Sequence, residues 1–284
     1  MDRGTDCILS GTVKVALMSW WTTKGEYETK LRKQAEELLR RCVRKWGDLL
    51  IQVFDRGYAS GPWLQLLQSL RVRFVIRWIK KHSFLDANGR EKKVWQIGQG
   101  KKYFEHKLIY APQSGVKLPC DSWWAAVRHA SSAYQLYVVK VRVRKKVWYL
   151  ITNEPIKTAH QAWDVVFTYK RRGPIETSFR YGKCELAMES PRLWAFENRL
   201  KLLGIVTLVY AFLLHLLHAE YKELVTTVLR LKCHRTGKRY REILAPLYRL
   251  RWAISRLWDE YHPILGSVFP PNLQTLQALA SFQC

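Results

Sequence analysis

Between Glu26 and Trp78 the apolar residues change period three times, and the links between the changes are short. In residues 26–46, Leu31, Ala35, Leu38, Leu39, Cys42, Val43 and Trp46 recur at helical spacing, with Lys, Arg and Glu filling the other face. Gly47-Asp48 ends that helix, and LLIQVF (49–54) follows as a buried strand. Asp55-Arg-Gly57-Tyr sits just past the strand. A second amphipathic helix is expected from Pro62 to Leu70, and VRFVIRW (72–78) reads as another strand. Helix, strand, helix, strand with short links predicts an α/β sheet with crossover helices.

Residues 81–157 differ in character. Val94, Trp95 and Ile97, then Tyr103–Tyr110, Tyr134–Val143 and Val147–Thr152 read as strands, with no helical period between them. The run YQLYVVKVRVRKKVWYLIT alternates apolar residues with Lys and Arg across a turn near residues 144–146, as a two-faced hairpin does. Residues 81–157 are therefore an all-β insertion within the α/β part. From Thr158 helix returns, over Trp163–Tyr169, then from Gly173-Pro174, then through LKLLGIVTLVYAFLLHLL (200–217). Pro174 suits the first turn of a helix and puts Glu176 in that turn. From Lys222 the chain is helical and basic, with Ile243, Leu244, Leu247, Leu250, Ile254 and Leu257 as a packing stripe.

The apolar part of the long helix, Leu202–Leu214, is shorter than the roughly 20 residues a membrane span needs. It is expected to be a buried core helix, with a membrane anchor as the alternative. Forty-eight Lys and Arg against 23 Asp and Glu give a net charge of +25, which predicts a polyanionic partner. Thirteen Trp and 14 Tyr among these cations favour nucleic acid, where bases stack on rings and phosphates pair with Arg and Lys. Cys7, Cys42, Cys120, Cys184, Cys233 and Cys284 form no metal cluster, and Cys233-His234 is structural. They read as reduced thiols of a cytoplasmic protein, and no secretory signal follows Met1.

One segment concentrates chemistry. In Tyr169-Lys-Arg-Arg172-Gly-Pro-Ile-Glu176-Thr-Ser-Phe-Arg-Tyr-Gly-Lys183 a single carboxylate stands among cations and a tyrosine. Glu176 is suited to a divalent metal, with its neighbours suited to phosphate. Asp55 lies at the carboxyl end of a strand, where open α/β sheets keep functional residues. Plainer readings stand beside these: Asp55 as a strand-end turn with a local ion pair, and Glu176 as a helix-start acid bridged to Arg172 or Arg180.

The spacing Tyr-x2-Arg-x3-Glu-x6-Lys resembles the YREK signature of DDE transposases of the insertion-sequence-four family. VFDRGYAS followed by FVIRW resembles the surroundings of that family's second acid. The resemblance implies a ribonuclease H-like α/β core with a β insertion and a helical C-terminal part. Residues 1–80 would begin the core, 81–157 form the insertion, and 158–284 complete the core and add a basic helical region. Asp55 and Glu176 would be catalytic and would hold two Mg2+ or Mn2+ ions about 3.5–4 Å apart. Tyr169, Arg172 and Lys183 would hold phosphates of double-stranded transposon-end DNA, on which two chains would pair as a homodimer. A Trp of the insertion, among Trp123, Trp124 and Trp148, would stack on a flipped base, although core packing explains each of them as well. No membrane is implied.

In that family the first acid ends the first, central strand. Upstream of the helix at Glu26, ILSGTVKVALMSW supplies two strands at most, and the remaining MDRGTDC holds Asp2 and Asp6 outside any apolar run. The expectation is an N-terminally truncated transposase that lacks the first acid and its strand, with activity reduced or lost. A non-catalytic basic DNA-binding protein is the alternative.

Overall fold

The computed structural model describes residues 17, 19, 21–100, 102–111, 116–130, 134–188, 191, 193–232 and 247–260. Asp2, Asp6, Cys7, Cys233, His234, Ile243, Leu244 and Cys284 lie outside them, as does most of ILSGTVKVALMSW. The first compact unit runs Trp21–Pro174, and the described helices beyond it belong to a second.

In the first unit, α1 (Leu31–Trp46) leads through a 3-10 turn to β1 (Ile51–Phe54), and α2 (Gly61–Ser69) connects β1 to β2 (Arg73–Arg77). The helix expected from Glu26 begins only at Leu31, because Gly25–Glu28 close a turn instead, with the Glu28 amide donating to the Gly25 carbonyl at 3.0 Å. Gly47 ends α1 with φ 54°, a left-handed conformation that suits glycine, and its amide caps the Val43 carbonyl. β1 and β2 are parallel, Ile51 to Phe54 opposite Arg73 to Ile76. The connecting helix is the link that parallel neighbours require.

Beyond β2 come a small hairpin, β3 (Ser83–Leu85) and β4 (Glu91–Lys93), and one helical turn, α3 (Val94–Ile97). Then β5 (Glu105–Ala111), β6 (Val116–Val127), β7 (Leu136–Val143) and β8 (Lys146–Thr152) complete a six-stranded sheet in the order β1-β2-β8-β7-β6-β5. The last four strands form an antiparallel meander, joined to β2 by Ile76 opposite Ile151. The hairpin turn is built on Asp86, whose carboxylate accepts from the Asn88 and Arg90 amides at 2.9 and 3.0 Å. Lys92 beside it, with those amides, holds that carboxyl down at about 2.

Two corrections to the sequence reading fall here. Val94, Trp95 and Ile97 are helical, not extended: the Gln96 side chain turns back to accept from the Lys93 amide at 2.9 Å, and Val94 and Ile97 are buried on one face of the turn. The longest strand, β6, was not foreseen, because Pro119, Asp121 and Ser122 interrupt the alternation that marks a strand.

Alternation along the sheet separates two apolar cores. Phe74, Ile76, Trp123, Val138 and Ile151 face Trp63, Leu64 and Leu67 of α2 and Leu39 of α1. Val75, Val139, Val141 and Leu150 face Trp163 and Val166 of α4 (Ala159–Lys170). α4 starts at a capping box in which the Thr158 hydroxyl accepts from the Gln161 amide at 3.3 Å. Polar pins fix the joint between the parallel and antiparallel halves. The Thr152 hydroxyl donates to the Phe74 carbonyl at 2.6 Å, and Arg73 grips Glu154 with two hydrogen bonds of 2.8 and 2.6 Å.

α5 (Gly173–Arg180) begins at the boundary between the units, and Tyr181–Glu185 continue it as one π-helical turn. The second unit then holds α6 (Phe196–Leu216), α7 (Lys222–Leu231) and α8 (Leu247–Glu260). Its main core joins Tyr181, Tyr210 and Leu213 to Val225, Val228, Leu250 and Ala253. α6 is long and apolar enough to cross a membrane by length and composition, and 22% of its most apolar window is buried. The expectation of a helix buried all round is therefore corrected. Leu203, Val206, Tyr210 and Leu213 form a buried stripe, while Leu208 and Phe212 are 71% and 53% exposed. Among the described residues, Cys42, Cys120 and Cys184 are free thiols.

Candidate active site

The parallel pairing of β1 and β2 brings the carboxyl ends of both strands to the same place. Asp55 follows β1 directly and caps a 3-10 turn, Arg56–Tyr58. Its Oδ1 accepts from the Gly57 amide at 2.8 Å. Its Oδ2 faces Nη2 of Arg172 at 3.4 Å, a long and weak contact, and its side chain is 45% exposed. Arg77, the last residue of β2, stands one position beyond the Phe54–Ile76 pair and so beside Asp55.

Tyr169 lies in the last turn of α4 and is buried. Its ring meets Trp148 of β8 edge-on, with centroids 5.9 Å apart, and Arg77 lies over the same indole at 5.9 Å. Burial raises the pKa of the Tyr169 phenol above its ordinary value. Arg77 and Arg172 pull the other way by charge, Arg77 also as a hydrogen-bond donor, and the Asp55 charge adds to the rise. The hydroxyl therefore stays protonated at neutral pH and can donate to an anion. Within one unit, then, a carboxylate, two guanidinium groups, a phenol and an indole come together at a sheet end.

Of the residues expected from sequence, Asp55, Tyr169 and Arg172 gather here. Glu176 and Lys183 belong to the second unit, Glu176 exposed in the first turn of α5 and Lys183 exposed on the π-helical turn. Trp123 is buried in the first core, and Trp124 packs near Phe104 and Tyr137. Trp148 alone among the three borders the Asp55 cluster. Arg77 was missed by the sequence reading. The signal was present in FVIRW, since a parallel neighbour ends where β1 ends, but the direction of pairing was needed to use it.

A comparison with protein-family models matches residues 29–212, well over half of the chain, to the transposase DDE domain. The chain belongs to the transposase DDE domain family. The match runs from just before α1 into α6 and takes in Asp55, Tyr169, Arg172, Glu176 and Lys183. No curated protein matches the chain. Asp55 directly follows β1, and the geometry of its turn is testable. A Cβ added at Gly57 would lie 2.9 Å from Asp55 Oδ1, closer than real Cβ contacts come. Gly57→Ala is expected to push the carboxylate off the amide of residue 57 and to cost about 0.5–1.5 kcal/mol of stability, the net worth of one hydrogen bond, because the displaced atom ends a half-exposed side chain that can turn away. Chemical denaturation and a structure of the variant check this: an unmoved carboxylate with unchanged stability would contradict it.

Proposed function

We propose that the chain is a DDE transposase of the insertion-sequence-four type, with YREK residues Tyr169, Arg172, Glu176 and Lys183, built on a ribonuclease H-like core. Residues 1–80 and 158–284 supply the core and the basic helical region, and 81–157 form the β insertion. The chain acts in the cytoplasm on double-stranded DNA at transposon ends and targets, as a homodimer on that DNA and without a membrane partner.

The observation that carries this reading is the Asp55 cluster at the joined ends of a parallel strand pair, in a chain of the transposase DDE domain family. Asp55 and Glu176 are assigned as catalytic residues and metal ligands for two Mg2+ or Mn2+ ions. Hard cations of this kind take one or two carboxylates and fill their other positions with water and phosphate oxygens. Asp55 offers a half-exposed carboxylate of that kind. Held by Asp55 and Glu176, such ions would supply the activation of a water or 3′-hydroxyl and the stabilisation of the leaving oxygen of a phosphodiester.

The chain's own residues bind and orient. Arg172 presents a guanidinium fork that matches phosphate oxygens, Tyr169 a protonated hydroxyl donor, and Lys183 a mobile positive charge. Arg172 would exchange its weak contact with Asp55 for a phosphate when DNA arrives, since a charge-assisted bond to phosphate is shorter and stronger than a 3.4 Å contact.

Purified without detergent, the chain is expected to bind duplex DNA, and whatever nicking of supercoiled plasmid it retains is expected to require Mn2+ and to stop with EDTA. Binding without nicking at any metal concentration would leave a non-catalytic basic DNA-binding protein as the function. A chain recovered only in detergent extracts would set aside the cytoplasmic placement.

A further inference from the structure

We infer that Arg32, which the family signature does not include, is a positioning residue that fixes the direction of the Asp55 carboxylate. The inference rests on the reading of Asp55 as a metal ligand. Arg32 is the second residue of α1 and is exposed, as are Lys33, Arg40, Arg41, Arg44 and Lys45 on the same helix. Its own guanidinium is placed differently. Nη2 donates to the Gly57 carbonyl, and the guanidinium carbon lies 4.8 Å from the centroid of Tyr58 and 5.4 Å from that of Trp63. Tyr58 and Trp63 in turn pack on each other and on Phe54, with centroids 4.9–5.5 Å apart. A cation stacked on two indole and phenol faces, with a donor aimed at a carbonyl, is held in one orientation.

The turn it grips is the one that holds Asp55. Gly57 is bonded on both sides: its carbonyl accepts from Arg32, and its amide donates to Asp55 Oδ1 at 2.8 Å. The Tyr58 amide closes the same turn onto the Asp55 carbonyl at 3.1 Å. A carboxylate with one oxygen tied to the backbone cannot spin freely about its own axis. Oδ1 points into the turn, and Oδ2 is the oxygen presented outward, toward Arg172. A ligand oxygen fixed in advance binds metal without first losing rotational freedom, which is the work of groups behind a metal ligand. Without Arg32 the Gly57 carbonyl loses its partner, the turn loosens, and Asp55 samples directions that face no ligand.

The experiment uses the full chain and two readouts. Hydrogen exchange at the Gly57 amide reports the turn, and Mn2+ titration followed by electron paramagnetic resonance reports the ligand. Arg32→Ala is expected to speed exchange at Gly57 and to weaken Mn2+ binding, each by about tenfold, the worth of one hydrogen bond to a charged group. Arg32→Lys, which keeps a donor for the carbonyl but not the planar group that stacks on Tyr58 and Trp63, is expected to recover part of both. Arg40→Ala removes an exposed ion pair with Glu36 on the same helix and is expected to change neither. In an Asp55→Asn background Arg32→Ala should weaken Mn2+ binding no further. Unchanged exchange at Gly57 in Arg32→Ala overturns the inference, and so does faster exchange with wild-type Mn2+ affinity. A wild-type chain that binds no Mn2+, yet shows the exchange effect, keeps Arg32 as the clamp of this turn and removes Asp55 from the metal site instead.

Discussion

Glu176→Gln is expected to abolish whatever metal-dependent nicking the chain retains, while DNA affinity stays at the wild-type level. The two effects separate because glutamate and glutamine have the same shape but only the carboxylate neutralises a divalent ion. DNA is held by cations, and this substitution removes none. With 23 acids against 48 Lys and Arg, the loss of one negative charge leaves the field of the chain almost unchanged. Plasmid nicking and a DNA-binding titration on the same preparation check both halves. Equal nicking by wild type and variant would take Glu176 out of the catalytic set. Lost DNA binding would assign it to the fold of α5 instead.

The salt dependence of DNA binding is the second large effect. A protein that neutralises 6–10 phosphates loses about 10^3–10^5 in affinity between 50 and 200 mM salt. A chain of +25 that presents Lys33, Arg40, Arg41, Arg44 and Lys45 along one helix, with further Lys and Arg elsewhere, has the cations for that range. Binding measured at four or five salt concentrations gives the slope directly. A flat profile would mean that the excess charge serves something other than a nucleic-acid backbone. Arg172→Ala should lower the slope by about one phosphate, because its loss removes a single contact.

How much of this was written in the order of residues varies by element. β1, α2 and β2 were legible because each carries one clean period: residues 49–54 and 72–78 as strands, 62–70 as helix, against observed Ile51–Phe54, Arg73–Arg77 and Gly61–Ser69. β7 and β8 were legible from the alternation of Val and Tyr with Lys and Arg around Arg144. β6 was hidden because Pro119, Asp121 and Ser122 break its alternation: Asp121 pairs with Arg142 at 2.5 Å and with His106 across the sheet, so its charge is satisfied by neighbours that are distant in sequence. α6 was legible as a helix but not as to its surroundings. Its apolar residues run round the axis, and packing selects which of them become core: Met188 and Leu186 cover Leu203 and Val206, while α7 and α8 cover Tyr210 and Leu213.

The candidate site divides in the same way. Asp55, Tyr169 and Arg172 could be singled out because their types and spacing carry chemistry. Arg77 and Arg32 could not, since each reads locally as an ordinary cation at the end of a strand or on the polar face of a helix. Their roles come from what stands beside them in space: Tyr169 and Trp148 for Arg77, the Gly57 carbonyl and two rings for Arg32.

The wide turn after α5 bears on how a signature of residue types should be understood. Seven residues of regular α-helix make about two turns, so Glu176 and Lys183 would stand almost in line along such a rod. Tyr181–Glu185 are wound with an extra residue in the ring, which breaks that alignment. The interval between acid and lysine is therefore a distance counted along the polymer rather than a bearing around an axis, so the same letters at the same count put the ammonium in different places on a regular rod and on this wider turn.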